Sequence, residues 1–185
     1  MHSSKYAQFN EYIDEYLSGM HLIESNSTLL PISFSHKGIT SDGKSISFRV
    51  EPFRHLSGYI GVNKGIIDFT HYQARTGHFP IEFRSQKNPY ILIGRRPDLV
   101  HHGLESNPPQ ISLLAFKNRI PGIFLDYVLV WNPFNRVYKT YDFKLIYQQI
   151  EANYKLIYKS PQRGWMKLYR RKNWNSSKKG MPLIE

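Results

Sequence analysis

The chain has no cysteine in 185 residues. That excludes disulfide frameworks and thiolate metal sites, and leaves histidine and carboxylate as the side-chain ligands for a tightly held metal. Long apolar runs are missing too. The most hydrophobic stretch, IFLDYVLVW at residues 123–131, is too short to span a bilayer. The first residues lack the basic start, apolar stretch and small-residue cleavage site of a secretion leader, so a cytoplasmic location is expected and no membrane partner. Acid is scarce, with 14 Asp and Glu against 25 Lys and Arg and a formal charge of +11. Such an excess favours polyanions, nucleic acid before an acidic membrane surface. There is no phosphate-cradling glycine pattern, no GxSxG elbow and no dinucleotide fingerprint, which sets those enzyme classes aside.

What is present suits one α/β or α+β domain, a central mixed sheet flanked by helices. Over residues 5–19, Tyr6, Phe9, Ile13, Tyr16, Leu17 and Met20 recur at helical spacing, and Gly19 offers a stop. Glu11, Asp14 and Glu15 take the other faces, as a solvated surface or with Glu11 or Glu15 turned toward a central site. Residues 29–34 and 45–50 alternate around Ser41-Asp42-Gly43, which predicts a hairpin. Residues 59–62 and 66–69 around Asn63-Lys64-Gly65 predict a second strand pair, and further strands are expected at 79–84 and 90–93. Residues 94–109 form an irregular loop, and Pro108-Pro109 opens a helix that Pro121-Gly122 ends. Residues 123–131 read as a strand covered on both sides, with residues 136–140 as its neighbour. Asp142 then caps a helix with an apolar line from Phe143 through Ile146, Tyr147, Ile150 and Tyr154 to Ile157.

From Lys155 to Lys179 the chain carries nine Lys or Arg and no acid, with Tyr158, Trp165, Tyr169 and Trp174 interleaved. Cations beside flat rings supply charge for phosphate and faces for bases. Residues 1–158 are therefore read as the globular domain and 159–185 as a basic, aromatic extension. Its candidate nucleic-acid contacts are Arg163, Trp165, Lys167, Tyr169, Arg170, Arg171, Lys172 and Trp174, joined by Arg95 and Arg96 of the irregular loop. A solvated basic tail is the plain alternative.

The stretch that suggests chemistry is residues 65–87. Asp68 closes a short apolar run, and Glu82-Phe83-Arg84 lies on an alternating run where Glu82 and Arg84 share a face. Helix, three strands, helix, strand, with an acidic pair on the middle strands, resembles the core of the PD-(D/E)xK nuclease superfamily of restriction enzymes and Holliday-junction resolvases. In this resemblance, which covers about residues 5–150, Asp68 precedes Glu82 with thirteen residues between. It implies a restriction-endonuclease-like core and metal-dependent hydrolysis of DNA. Asp68 and Glu82 would hold Mg²⁺ or Mn²⁺, Arg84 or Lys87 would hold the scissile phosphate, and Gln110 would match the glutamine on the following helix. Many such nucleases are homodimers. Ile67 replaces the motif's proline, and Arg84 stands where lysine is usual and cannot act as a base. In a register closer to bacterial RecU-type resolvases, Thr70 and Tyr72 replace the expected acid and lysine, which predicts an inactive site.

Two other constellations remain. His71, His78, His101 and His102 could bind zinc or cut RNA by acid and base. Asp126 interrupts the most apolar run and needs a partner or an open face. The expected functions are thus a metal-dependent DNA endonuclease, a non-enzymatic DNA or RNA binder, or a histidine-dependent ribonuclease, with DNA favoured over RNA.

Overall fold

A computed structural model of the protein describes residues 2–39, 44–47, 49, 51–70, 125–133 and 141–173. Helix α1 (His2–Leu17) leads through a 3-10 turn (Met20–Leu22) into β1 (Thr28–Ser33), followed by α2 (Ser57–Lys64) and β2 (Ile67–Asp68). Strand β3 (Tyr127–Trp131), helix α3 (Tyr141–Asn153) and strands β4 (Tyr154–Lys159) and β5 (Met166–Arg171) complete the described elements. They build an open, mixed α/β sheet in the order β2-β1-β3-β5-β4. Strand β1 runs parallel to β2 and β3, whereas β5 runs antiparallel to both β3 and β4.

Side-chain alternation sorts the sheet into two faces. Leu30, Ile32, Val128, Val130 and Tyr169 pack with Ile146 and Ile150 of α3. Leu29, Tyr127, Leu129, Trp131, Met166 and Leu168 pack with Tyr12 and Tyr16 of α1 and Ile60 of α2. Strand β3 is buried along its whole length, as its unbroken apolar run predicts. Helix α1 forms where its spacing predicts and packs Phe9, Ile13, Tyr16 and Leu17 on the sheet, but Tyr6 of the expected line is 68% exposed and Tyr12, outside that line, is buried one turn from Tyr16. Gly19 is required here by packing rather than as a left-handed cap. A Cβ there would lie 2.7 Å from both Met166 Cε and Tyr158 Cδ1, so β4 and β5 press against the end of α1.

Four expectations change. Residues 59–62 form helix α2, not a strand. Gly65 does take positive φ, at 60°, but as the helix C-cap whose N–H donates to Gly61 O at 2.8 Å. Lys-Gly closes a helix as readily as a hairpin, and burial of Ile60 decides between them. The hairpin expected at 29–50 reduces, among the described residues, to one antiparallel bridge between Ile39 and Ser45, while β1 pairs in parallel. The last helix stops at Asn153, and Tyr154 to Ile157 lie on β4. Tyr154 still joins the α3-side core, now from a strand, so its helical spacing did not reveal the change. The segment read as an extension from 159 begins inside β4, and its residues 166–171 supply β5, the neighbour of β3. The strand expected at 136–140 and the elements expected at 79–84, 90–93 and 108–122 lie outside the described residues, as does the irregular stretch 94–109.

Candidate functional site

Of the residues assigned to phosphodiester chemistry, Glu82, Arg84, Lys87 and Gln110 lie outside the described residues, as do Arg95, Arg96, Trp174 and the histidines 71, 78, 101 and 102. Asp68 is described. It ends β2, is 8% exposed, and its Oδ1 accepts from Thr70 N at 2.7 Å and Thr70 Oγ1 at 2.6 Å. This is the carboxylate-capped turn that often follows a strand. Burial, with help from the Asp68 charge, pushes the Tyr16 hydroxyl far up, so that ring stays neutral beneath α1.

Several residues read as nucleic-acid contacts serve the core. Trp165 and Tyr169 are 7% and 4% exposed, so neither offers a ring face for a base. Trp165 packs edge-on against Tyr12 at 5.1 Å and Trp131 at 5.8 Å. Arg163 is held by Glu11 at 2.7 Å and Glu15 at 3.3 Å and lies over the rings of Tyr12 and Trp165. Glu15 is fully buried and turns to the β4–β5 connection rather than to a central site. It accepts from Ser160 Oγ at 2.6 Å, Trp165 N at 3.1 Å and Arg163 N at 3.2 Å. The turn that joins β4 to β5 is thereby fastened to α1.

Asp126, fully buried just before β3, accepts from Thr28 N through Oδ2 at 3.1 Å, and its own N–H donates to Thr28 Oγ1 at 2.8 Å. The opposing Arg171 is 3.7 Å from Oδ1. Burial raises the Asp126 pKa, outweighing the Thr28 bonds and Arg171 that lower it. A raised folded-state value means the ionised form is disfavoured by folding. This group's stabilisation is therefore greatest below the ordinary carboxylate range and is lost as pH rises through its folded pKa. In Asp126→Asn that acid-side gain should vanish, seen as a flatter dependence of the urea midpoint on pH from the ordinary carboxylate range upward. An unchanged pH profile would mean that other carboxyls set it. Lys172 donates from Nζ to Ala152 O at 3.2 Å and so anchors the end of β5 to the end of α3.

Four cations of the ribbon remain, in two cross-strand pairs. Lys155 stands opposite Arg170, and Lys159 opposite Lys167. Neither β4 nor β5 carries an acid. Like charges directly opposite destabilise a ladder. Their effect is visible at Lys167, whose pKa is lowered by burial first and by Lys159 next, with Glu151 offsetting part. The pairs lie on opposite faces. Lys167 Nζ sits 5.2 Å from the Tyr147 ring centroid on the α3 side, while Arg170 acts on Tyr127, which packs on the α1–α2 side. Sequence reading found these cations by composition but missed the pairing, which depends on a bulge between Leu156 and Tyr158. Among the described residues no helix is long and apolar enough to cross a membrane. Comparison with protein-family models, with curated proteins and with solved structures gave no match.

Proposed function

We propose that this is a cytoplasmic nucleic-acid-binding protein that engages its ligand, DNA before RNA, along the β4–β5 edge of the sheet. One observation carries the reading: two like-charged pairs, Lys155–Arg170 and Lys159–Lys167, stand face to face on adjacent strands without an acid on either. Lysines on an edge strand can serve only to block edge-to-edge pairing. That role would account for Lys155 and Lys159 on β4 but not for Lys167 and Arg170 on the inner strand β5. A polyanion that passes over the β4 edge brings phosphates to both faces and so relieves both repulsions. Phosphate contacts of this kind release counterions, so affinity falls with salt in proportion to their number. Neutralising all four as Lys155→Met, Lys159→Met, Lys167→Met and Arg170→Met should lower the slope of log K against log salt by about 3. At low salt the affinity should fall roughly 100-fold for DNA of any sequence, as fluorescence anisotropy would report. An affinity and slope equal to wild type would sink the proposal.

A second reading, metal-dependent hydrolysis of DNA on a restriction-endonuclease-like core, draws support from Asp68. Its side chain is held at the end of β2 through Oδ1, and among the described residues Oδ2 makes no hydrogen bond. One carboxylate oxygen is a partial fit for Mg²⁺ or Mn²⁺, which surround themselves with six or so oxygens. Among the described residues no three His, Asp or Glu stand together to hold such an ion. We therefore derive no catalytic step through it. If the metal is bound, Glu82 would be its second protein ligand, and the ion would activate water and offset phosphate charge. Plasmid, single-stranded DNA and RNA should then be cut with Mg²⁺ or Mn²⁺ and not with EDTA, and Asp68→Ala and Glu82→Ala should each lower cleavage at least 100-fold while binding persists. Binding without cutting in any of these mixtures leaves the first reading alone.

A further inference from the structure

We infer that the α3-side surface at the carboxyl end of β3 is a phosphate-binding site, gripped by the ammonium groups of Lys159 and Lys167 and the hydroxyl of Tyr147. The placement follows from topology. Strand β1 leads through α2 to β2 on one side of the sheet, whereas β3 leads through α3 to β4 on the other. Helix α2 packs on one face and α3 on the opposite face. The gap between β1 and β3 is thus the point where the winding reverses, and open α/β sheets bind ligands outside the carboxyl ends of their strands there. Asn132 directly follows β3 at this end, Lys159 ends β4, and Lys167 opens β5.

Among the described residues, Tyr147 and the two lysines offer protons that meet no acceptor. Tyr147 oxygen accepts from Asn132 Nδ2 at 3.5 Å, and among the described residues its hydroxyl proton has no acceptor. Burial raises the Tyr147 pKa, so the proton stays on the ring and remains available to donate. The ring is fixed by a stacked contact with Phe34, centroids 6.2 Å apart. Lys167 lies against that ring, half-buried, and makes no ion pair or hydrogen bond with another described residue. Lys159 is steered by the turn beyond it. Gly164 has φ +70°, and a Cβ there would overlap Lys159 Cε and come within 3.2 Å of Nζ. Any side chain at 164 would displace the lysine.

Two ammonium groups and a phenol make a donor-only set matched to the oxygens of a phosphate. A phosphomonoester carries nearly two negative charges near neutral pH, enough for both lysines. A backbone phosphodiester offers the same oxygens with one charge. The inference rests on the nucleic-acid reading only for the second source.

The test uses the full chain and three probes: inorganic phosphate, and one oligonucleotide with and without a terminal phosphate. Phosphate should shift the side-chain NMR signals of Lys159 and Lys167 saturably, and sodium chloride of equal ionic strength should not. Lys167→Met should weaken phosphate binding at least tenfold, and Tyr147→Phe, which keeps the ring and its packing, several-fold. Lys64→Met, at the end of α2 on the other face of the sheet, should leave it unchanged. An affinity gain from the terminal phosphate that is lost in Lys167→Met assigns the site to phosphomonoesters. An equal loss for both oligonucleotides assigns it to the backbone. Shifts that chloride reproduces, or phosphate binding equal in wild type, Lys167→Met and Tyr147→Phe, overturn the inference. Phosphate binding without binding of either oligonucleotide would overturn the nucleic-acid reading and leave this site standing.

Discussion

Replacing Glu15 by alanine is expected to cost about 3–5 kcal/mol of folding stability, read as a lower urea midpoint at unchanged slope. The side chain is fully buried, and its oxygens serve four donors: Ser160 Oγ, the Arg163 and Trp165 amides, and the Arg163 guanidinium. Removing it strands the Ser160 hydroxyl and the Trp165 amide at a buried site, and each buried orphan costs about 1–3 kcal/mol. The ion pair itself adds less, because the Arg163 side chain is 33% exposed and partly screened. Arg163→Ala should therefore cost only about 1 kcal/mol, since the carboxylate keeps its three other donors. Glu15→Gln, which retains an acceptor, should fall between the two. The ordering Glu15→Ala, Glu15→Gln, Arg163→Ala tests whether neutral donors or the salt bridge hold the turn. A reversed order would place the strength in the charge pair. The consequence reaches the proposed ligand surface, because this turn lies between Lys159 and Lys167. Conditions under which Glu15→Gln is still folded should show weakened DNA binding although no cation has been changed.

Helix α1 and strand β3 were legible because one physical demand wrote each pattern. A buried stripe repeats Phe9, Ile13, Tyr16 and Leu17 along α1, although it left Tyr12 unnamed, and burial on both faces makes residues 127–131 apolar throughout. Strand β5 was not legible as a core strand, although Met166 and Leu168 alternate with Lys167, Tyr169 and Arg171. Long amphipathic side chains disguise the alternation, since Lys167 lays its head on Tyr147 and Arg171 turns toward Asp126. Counting the charges made this stretch a basic, aromatic extension, whereas alternation alone would have made it a strand. The Glu15 partners lie 145 to 150 residues away in the chain, so no local spacing could announce them. Asp68 was read as a metal ligand, whereas in the structure it caps a turn. Thr70, two residues on, is the group whose N–H and hydroxyl make the cap, and its position was visible in the sequence.

Trp131→Ala should be about as damaging as the loss of Glu15, near 3–5 kcal/mol, while Trp131→Phe should cost only about 1–2 kcal/mol. The indole is fully buried where α1, β3 and the β4–β5 turn meet. Its ring centroid lies 5.5 Å from that of Tyr16, 6.0 Å from Phe53 and 5.8 Å from Trp165. Alanine would leave a cavity walled by rings that belong to three separate elements and cannot all collapse into it. Phenylalanine keeps most of those contacts and also removes a defect, because Trp131 Nε1 is buried without a hydrogen-bond partner among the described residues. Deleting that unsatisfied donor should return about 1 kcal/mol or more of the lost packing. A Trp131→Phe variant as unstable as Trp131→Ala would mean that the N–H is satisfied in solution. Trp131 touches Tyr12 and Trp165, between which Arg163 reaches Glu15. The two lesions therefore share one cluster, and the double variant Glu15→Ala, Trp131→Ala should fall short of the summed losses by about 1 kcal/mol. Either lesion alone loosens α1 from the sheet, so the second finds less left to break.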